Sequence, residues 1–215
     1  MIKVENISVM NLENALRGAR NPLESWSKSD SIYDSNGNFT IGEKDMELAL
    51  KLIKAGSDHS KFIRQIFVSM DITAPMSWWW DFDTYKIATV KNSTSRMHKL
   101  GTRLLTPDDF SWDDEYGETH ITPYRQYTLD DLNRRILEFQ KLYNNKSTKK
   151  EAMYLWREIV FDLSDSFNFL STWSGNYENL RNVYHARKSH KQREFKDFCK
   201  IIETLPYSQF ITLER

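Results

Sequence analysis

Apolar and polar positions alternate along residues 2–9, IKVENISV, and that two-residue period predicts a short strand. NLENALRGAR predicts a short helix with Gly18 near its end. NPLESWSKSDSIYDSNGNF is rich in Ser, Asn, Asp, Pro and Gly and reads as a loop. Arg20 and several hydroxyls accompany it, and loops often carry function. IGEKDMELALKLIKAG returns to helical spacing, with Met46, Ala49, Leu50 and Ile53 on one face and Gly56 where a C-cap belongs. The period then switches back. In FIRQIFVSMDIT, Ile66, Val68 and Met70 fall on one face and Phe67, Ser69 and Asp71 on the other, as a strand requires.

Pro75 closes that strand and suits the start of a helix, so MSWWWDFDTYKIATV reads as a helix running into a turn before TVKNSTSRMH. Residues 101–127 carry Pro, Gly and acids and read as a surface insertion. Leu129, Leu132, Ile136, Phe139 and Tyr143 recur at helical spacing. Thr148 and Glu151 suggest a capping box for the helix KKEAMYLWREIVFDL. A last long helix runs from about Asn176 to about Glu203, ended by Pro206. The pattern implies a single α+β domain over residues 1–215, richer in helix than in strand.

Composition narrows the function. Lys plus Arg and Asp plus Glu both number 30, and a chain without basic excess is a poor candidate for nucleic acid. The single Cys199 excludes an intramolecular disulfide and a Cys-rich metal site, and suits a reducing, cytoplasmic setting. MIKVENISVM lacks the apolar core of a signal peptide. No run approaches the roughly 20 apolar residues that cross a membrane. The phosphate-loop motifs GxGxxG and GxxxxGK[ST] do not occur, nor does HExxH. No Ser-His-Asp or Cys-His arrangement suggests a side-chain nucleophile, so no catalytic residue and no metal ligand is expected.

Three polar clusters stand out. On the last helix, Asn176, Leu180, Val183, Arg187 and Glu194 form one stripe, and its apolar members place Arg187 on or beside a buried face. A buried Arg needs an acceptor, either a protein carboxylate or a ligand phosphate. His185, Lys188, His190, Lys191 and Arg193 make a basic cluster that also reads as a solvated helix face. KIATVKNSTSRMHK gathers Thr89, Asn92, Ser93, Thr94, Ser95 and Arg96, either a polar loop or a phosphate cradle. In addition, Trp78, Trp79 and Trp80 point about 100° apart on a helix, so at least one faces a groove, a partner subunit or solvent.

Two stretches, HSKFIRQIFVSMDITAPMSWWWDFDTYKIATVKNSTSR and NYENLRNVYHARKSHKQRE, resemble the two signature segments of the flavin-dependent thymidylate synthases. In the first, His59 stands at the family's flavin-contacting histidine and Ala74-Pro75 keeps its turn. The family's Arg-His-Arg falls on Thr84-Tyr85-Lys86, its following Ser on Thr89, and its closing Ser-x-Arg on Thr94-Ser95-Arg96. In the second, Asn176 and Asn182 match the flavin-contacting asparagines, Glu178 replaces an arginine, Arg187 matches the nucleotide-binding arginine, and His190-Lys191-Gln192 resembles His-x-Gln.

The resemblance spans residues 55–205 and implies a helix-rich α+β fold with a small antiparallel sheet. It implies a homotetramer that methylates dUMP using FAD, NADPH and methylenetetrahydrofolate. His59, Lys86, Asn176 and Asn182 would then meet the cofactor, and Thr94, Ser95, Arg96 and Arg187 the nucleotide. A flavin carries the hard chemistry itself, which agrees with the lack of a nucleophile. Glu178 would repel a phosphate. An enzyme acting on a pyrimidine deoxynucleotide and a non-catalytic nucleotide-binding or interaction protein on the same fold are both open.

Overall fold

The computed structural model describes residues 2–95, 99–114 and 116–214. Strand β1 (Lys3–Met10) leads into α1 (Leu12–Ala19), and a hairpin of β2 (Ile32–Tyr33) and β3 (Phe39–Thr40) precedes α2 (Glu43–Lys54). Strand β4 (Phe67–Pro75) passes straight into α3 (Met76–Phe82), followed by β5 (Val90–Ser93). Helices α4 (Pro123–Tyr143) and α5 (Lys149–Phe161) come next. Strand β6 (Asn168–Asn176), α6 (Tyr177–Arg187), α7 (Arg193–Glu203) and the short α8 (Gln209–Thr212) complete the described chain. The four-stranded sheet has the order β1-β4-β6-β5.

The alternation read in β4 is realised: Val68, Met70, Ile72 and Ala74 are buried and the intervening residues are not. Strands β5 and β6 were not foreseen. On β6 the buried positions are Ser171, Trp173, Gly175 and Asn176, of which only Trp173 carries an apolar side chain, so the strand shows no hydrophobic period. All of β5 is exposed, so it carries no period at all.

The chain groups into two compact units. The first is built mainly from Ile72–Asp81 and Asn92–Ser171. Its core joins Leu129, Leu132 and Ile136 of α4 to Ile159 of α5. Residues 101–127, expected at the surface, are divided. Leu105, Phe110 and Trp112 enter this core, whereas Tyr116 is exposed. Phe110 and Trp112 stack at 4.3 Å, and the Trp112 indole donates to Ser166 Oγ at 3.0 Å, satisfying its one polar atom. The Trp run divides as its geometry requires, with Trp78 and Trp79 buried and Trp80 exposed. The expected Thr148–Glu151 capping box does not form. Thr148 is the N-cap, but its hydroxyl donates to the carbonyl of Leu142 instead.

The second unit comprises Val4–Asp71, Phe82–Lys91 and the chain from Thr172 onward. Phe82 packs edge-on against both Trp173 and Phe198, with centroids 5.5 Å apart. The single long helix expected over 176–203 is two helices. His190 N–H bonds back to the Arg187 carbonyl, and His190 Nδ1 accepts the Gln192 amide, so the ladder is interrupted and restarts at Arg193. Glu194 therefore does not share a helix face with Arg187. Buried Arg181 fastens the C-terminal segment to α6 by donating to the carbonyls of Phe210, Ile211 and Leu213. Burial, and then the Arg181 charge, push His185 below its ordinary value. The basic cluster is thus not a uniformly charged face. Among the described residues no helix is long and apolar enough to cross a membrane.

The loop after α1 is held by a buried ion pair. Arg20 Nε donates to Asp45 Oδ1 at 2.6 Å, and Ser29 and Ser31 hydroxyls donate to Asp45 Oδ2 at 2.5 Å. Burial acts to raise the Asp45 carboxyl, but bonds from Ser29, Ser31 and Arg20 outweigh it and hold the group below its ordinary 3.8. A depressed carboxyl stabilises the fold above 3.8 and loses that contribution as pH falls through its folded value. Asp45→Asn is expected to cost about 3 to 5 kcal/mol at neutral pH by leaving Arg20 buried without its counter-charge. In urea denaturation across a pH series, the gap to the wild type should narrow in acid, and a pH-independent gap would refute the assignment. Gly175 is tested separately, because a Cβ there would meet Trp173 Cζ2 at 2.4 Å. Gly175→Ala should cost about 1 to 3 kcal/mol by displacing that ring, read as a lowered urea midpoint.

Candidate functional site

The best-organised polar region of the second unit starts where β6 becomes α6. A helix start leaves amides without intrahelical partners. Here Asn176 Oδ1 accepts the Asn179 amide and Asn179 Oδ1 accepts the Asn176 amide, both at 3.0 Å. Tyr177 N–H adds a bond to the Ile66 carbonyl at 3.0 Å. Asn179 Nδ2 reaches the Ile87 carbonyl at 2.8 Å, tying the helix start to the turn that carries Tyr85 and Lys86. Asn179 went unrecognised in the sequence, although the Asn-x-x-Asn spacing is a variant of the capping-box signal. Glu178 lies in the first turn of α6, where the helix dipole favours an acid.

The turn itself is tight. Ala88 adopts φ 59°, a left-handed conformation that is uncommon for a residue with a Cβ. Thr89 stabilises it, its amide and hydroxyl both donating to the Lys86 carbonyl at 3.1 and 2.9 Å. Lys91 pairs with Asp83 at 2.6 Å.

At the other end of α6, Arg187 meets this turn. Its Nε donates to the Tyr85 hydroxyl at 3.2 Å. Its guanidinium carbon lies 5.8 Å from the Tyr85 ring centroid and 4.9 Å from that of Phe195. Cation–π attraction and the hydrogen bond together orient the planar fork. His190 stacks edge-on against Phe195 at 5.1 Å, and because its Nδ1 accepts the Gln192 amide, the neutral ring carries its proton on Nε2 as a donor. Arg187, Tyr85, His190 and Phe195 thus form one half-buried cluster suited to an anion or a carbonyl-rich ring.

The other candidates are placed as follows. Lys86 is exposed on the same turn, and Asn182 is exposed on α6. Asn176 is buried with its side-chain oxygen engaged in the cap. His59 is exposed at a cleft of about 460 Å³ that has Leu48, Leu52 and Phe62 as apolar walls and Lys61 beside it. Thr94 and Ser95 belong to the first unit. They line a cleft of about 480 Å³ with Lys99, Phe167 and Leu170, and the Thr94 amide donates to the Leu170 carbonyl at 2.9 Å. In that cleft Arg103 is paired with Asp109. Burial works to raise the Asp109 carboxyl, but Arg103 and the Thr106 amide outweigh it and hold it low. Arg96 lies outside the described residues.

Neither protein-family models nor curated proteins match the sequence. Solved structures do match the fold. Thymidylate synthase X of Helicobacter pylori, solved with FAD and dUMP, aligns with TM-score 0.69 and 16% identity over 100% of this chain and 97% of its own. A second structure of the flavin-dependent enzyme from that organism, also complexed with FAD and dUMP, gives 0.67 and 16% over 99% and 97%. The UMP/dUMP methylase PolB of Streptomyces cacaoi, bound with 5-Br dUMP, gives 0.57 and 17% over 95% and 89%. At such identities the likeness is one of architecture. It bears out the helix-rich α+β fold with a small antiparallel sheet, and the chain has the fold of the flavin-dependent thymidylate synthases.

Proposed function

We propose that this protein binds a pyrimidine deoxynucleotide together with FAD and acts as a flavin-dependent methyltransferase of the thymidylate synthase type. The observation that carries this reading is the agreement of fold, along the whole chain, with enzymes solved with FAD and dUMP. In this reading Arg187, oriented by Tyr85 and Phe195, takes the nucleotide phosphate, whose geometry a planar guanidinium matches. Thr94, Ser95 and Arg96 are the second phosphate candidates, through the family's Ser-x-Arg.

The donor set fits FAD in its chemistry. His59 and Lys61 beside apolar walls suit a phosphate-bearing aromatic cofactor, and the exposed Lys86 and Asn182 add donors. Asn176 would contribute by fixing the start of α6. Bound FAD would supply the redox chemistry, with NADPH as reductant and methylenetetrahydrofolate as carbon donor. The same reading makes the protein a cytoplasmic homotetramer, with the exposed Trp80 as an apolar anchor between subunits.

A second reading, nucleotide binding without turnover, draws on Glu178 and on the replacement of Arg-His-Arg by Thr84-Tyr85-Lys86. An FAD titration with and without dUMP, followed by NADPH oxidation, separates the two. FAD uptake sharpened by dUMP, with dUMP-dependent oxidation, is the expected result. Binding of dUMP without FAD would select the second reading, and binding of neither would overturn both. Arg187→Gln should weaken dUMP roughly tenfold by removing a charge-assisted bond, measured by calorimetry, with the thermal midpoint as a control for folding.

A further inference from the structure

A cleft of about 310 Å³ in the second unit, separate from the Arg187 cluster, lies between α1 and the β2–β3 hairpin. Its walls are aromatic. Trp26 and Tyr33 are both about half exposed, and the Tyr33 and Phe39 rings sit 5.3 Å apart. The Trp26 indole is pinned by a bond to Asn21 Oδ1 at 2.9 Å, and the Tyr33 hydroxyl donates to Glu13. These rings are thus held in place while their faces stay accessible.

Two arginines line the same cleft against one acid, Glu13. Arg17 is exposed at the rim. Arg20 is 5% exposed, and its Nε and Nη1 are committed to Asp45 and to the Ser25 carbonyl. Its Nη2 donates to no described protein group. That nitrogen keeps contact with solvent, so a ligand anion reaching it would gain a charge-assisted hydrogen bond.

From this combination we infer that the cleft is a binding site for a small flat aromatic ligand bearing one anionic group. The ring lies against Trp26, Tyr33 and Phe39, and the anion takes Arg20 Nη2 and Arg17. The volume admits a molecule of one or two rings, at the lower end of the size of ligand pockets. A carboxylate and a phosphate share the required chemistry, anionic oxygens that accept from guanidinium N–H groups.

The test reads the cleft directly. The Trp26 indole N–H resonance, assigned by its loss in Trp26→Phe, is followed by two-dimensional NMR during titration with 4-hydroxybenzoate and, separately, with uridine monophosphate. The expected result is a saturable shift of that resonance with at least one probe. Which probe acts distinguishes a carboxylate from a phosphate ligand. Arg17→Gln, at an exposed position that leaves the Arg20–Asp45 pair intact, should weaken the response roughly tenfold. No shift with either probe, or a shift that Arg17→Gln leaves unchanged, would overturn the inference. Because Arg187 is absent from this cleft, the outcome is independent of the nucleotide site proposed above.

Discussion

The second unit depends on a single strand-to-helix junction at Asn176. A helix that begins directly from a buried strand cannot leave its first amides to water, since each unmade bond there costs free energy. Asn176 and Asn179 satisfy one another reciprocally, and Tyr177 bonds the Ile66 carbonyl. The amide nitrogen of Asn179 is left for the Ile87 carbonyl. One turn of chain therefore fixes the end of β6, the approach to β4 and the turn bearing Tyr85. Arg187, at the far end of the same helix, inherits its position from that junction.

This arrangement gives Thr84-Tyr85-Lys86 a physical role. Tyr85 supplies a ring face and a hydroxyl to Arg187. A guanidinium between two aromatic rings keeps its planar donor edge while its faces are covered. The turn thus supports the Arg187 cation, with Lys86 next to Tyr85 and Glu178 placed where a helix start accommodates a negative charge.

The Arg20–Asp45 pair plays the corresponding part at the other end of the unit. A buried ion pair stabilises little by comparison with apolar packing, and its value lies in holding one arrangement. Asp45 collects Arg20, Ser29 and Ser31 around one carboxylate, so the Ser-rich loop between α1 and α2 is anchored from α2. That anchoring sets Trp26 and the β2–β3 hairpin around the aromatic cleft.

The sequence alone determined the elements whose burial follows a period: β4, α1, α2, α4 and α5. Val68 and Met70 of β4, and Leu129, Leu132 and Ile136 of α4, are where alternation and helical spacing put them. Tertiary structure decided what periodicity does not encode. Strand β6 buries Ser171 and Gly175, the latter under the Trp173 ring and the Asn179 side chain, and β5 forms by pairing alone, with every side chain exposed. The break between α6 and α7 has no Gly or Pro to announce it, because a histidine ring takes the amide that would have continued the helix. The partners of Arg187, Arg20 and Arg181 lie far from them in the chain, and only the folded backbone brings a ring, a carboxylate or a row of carbonyls to each guanidinium.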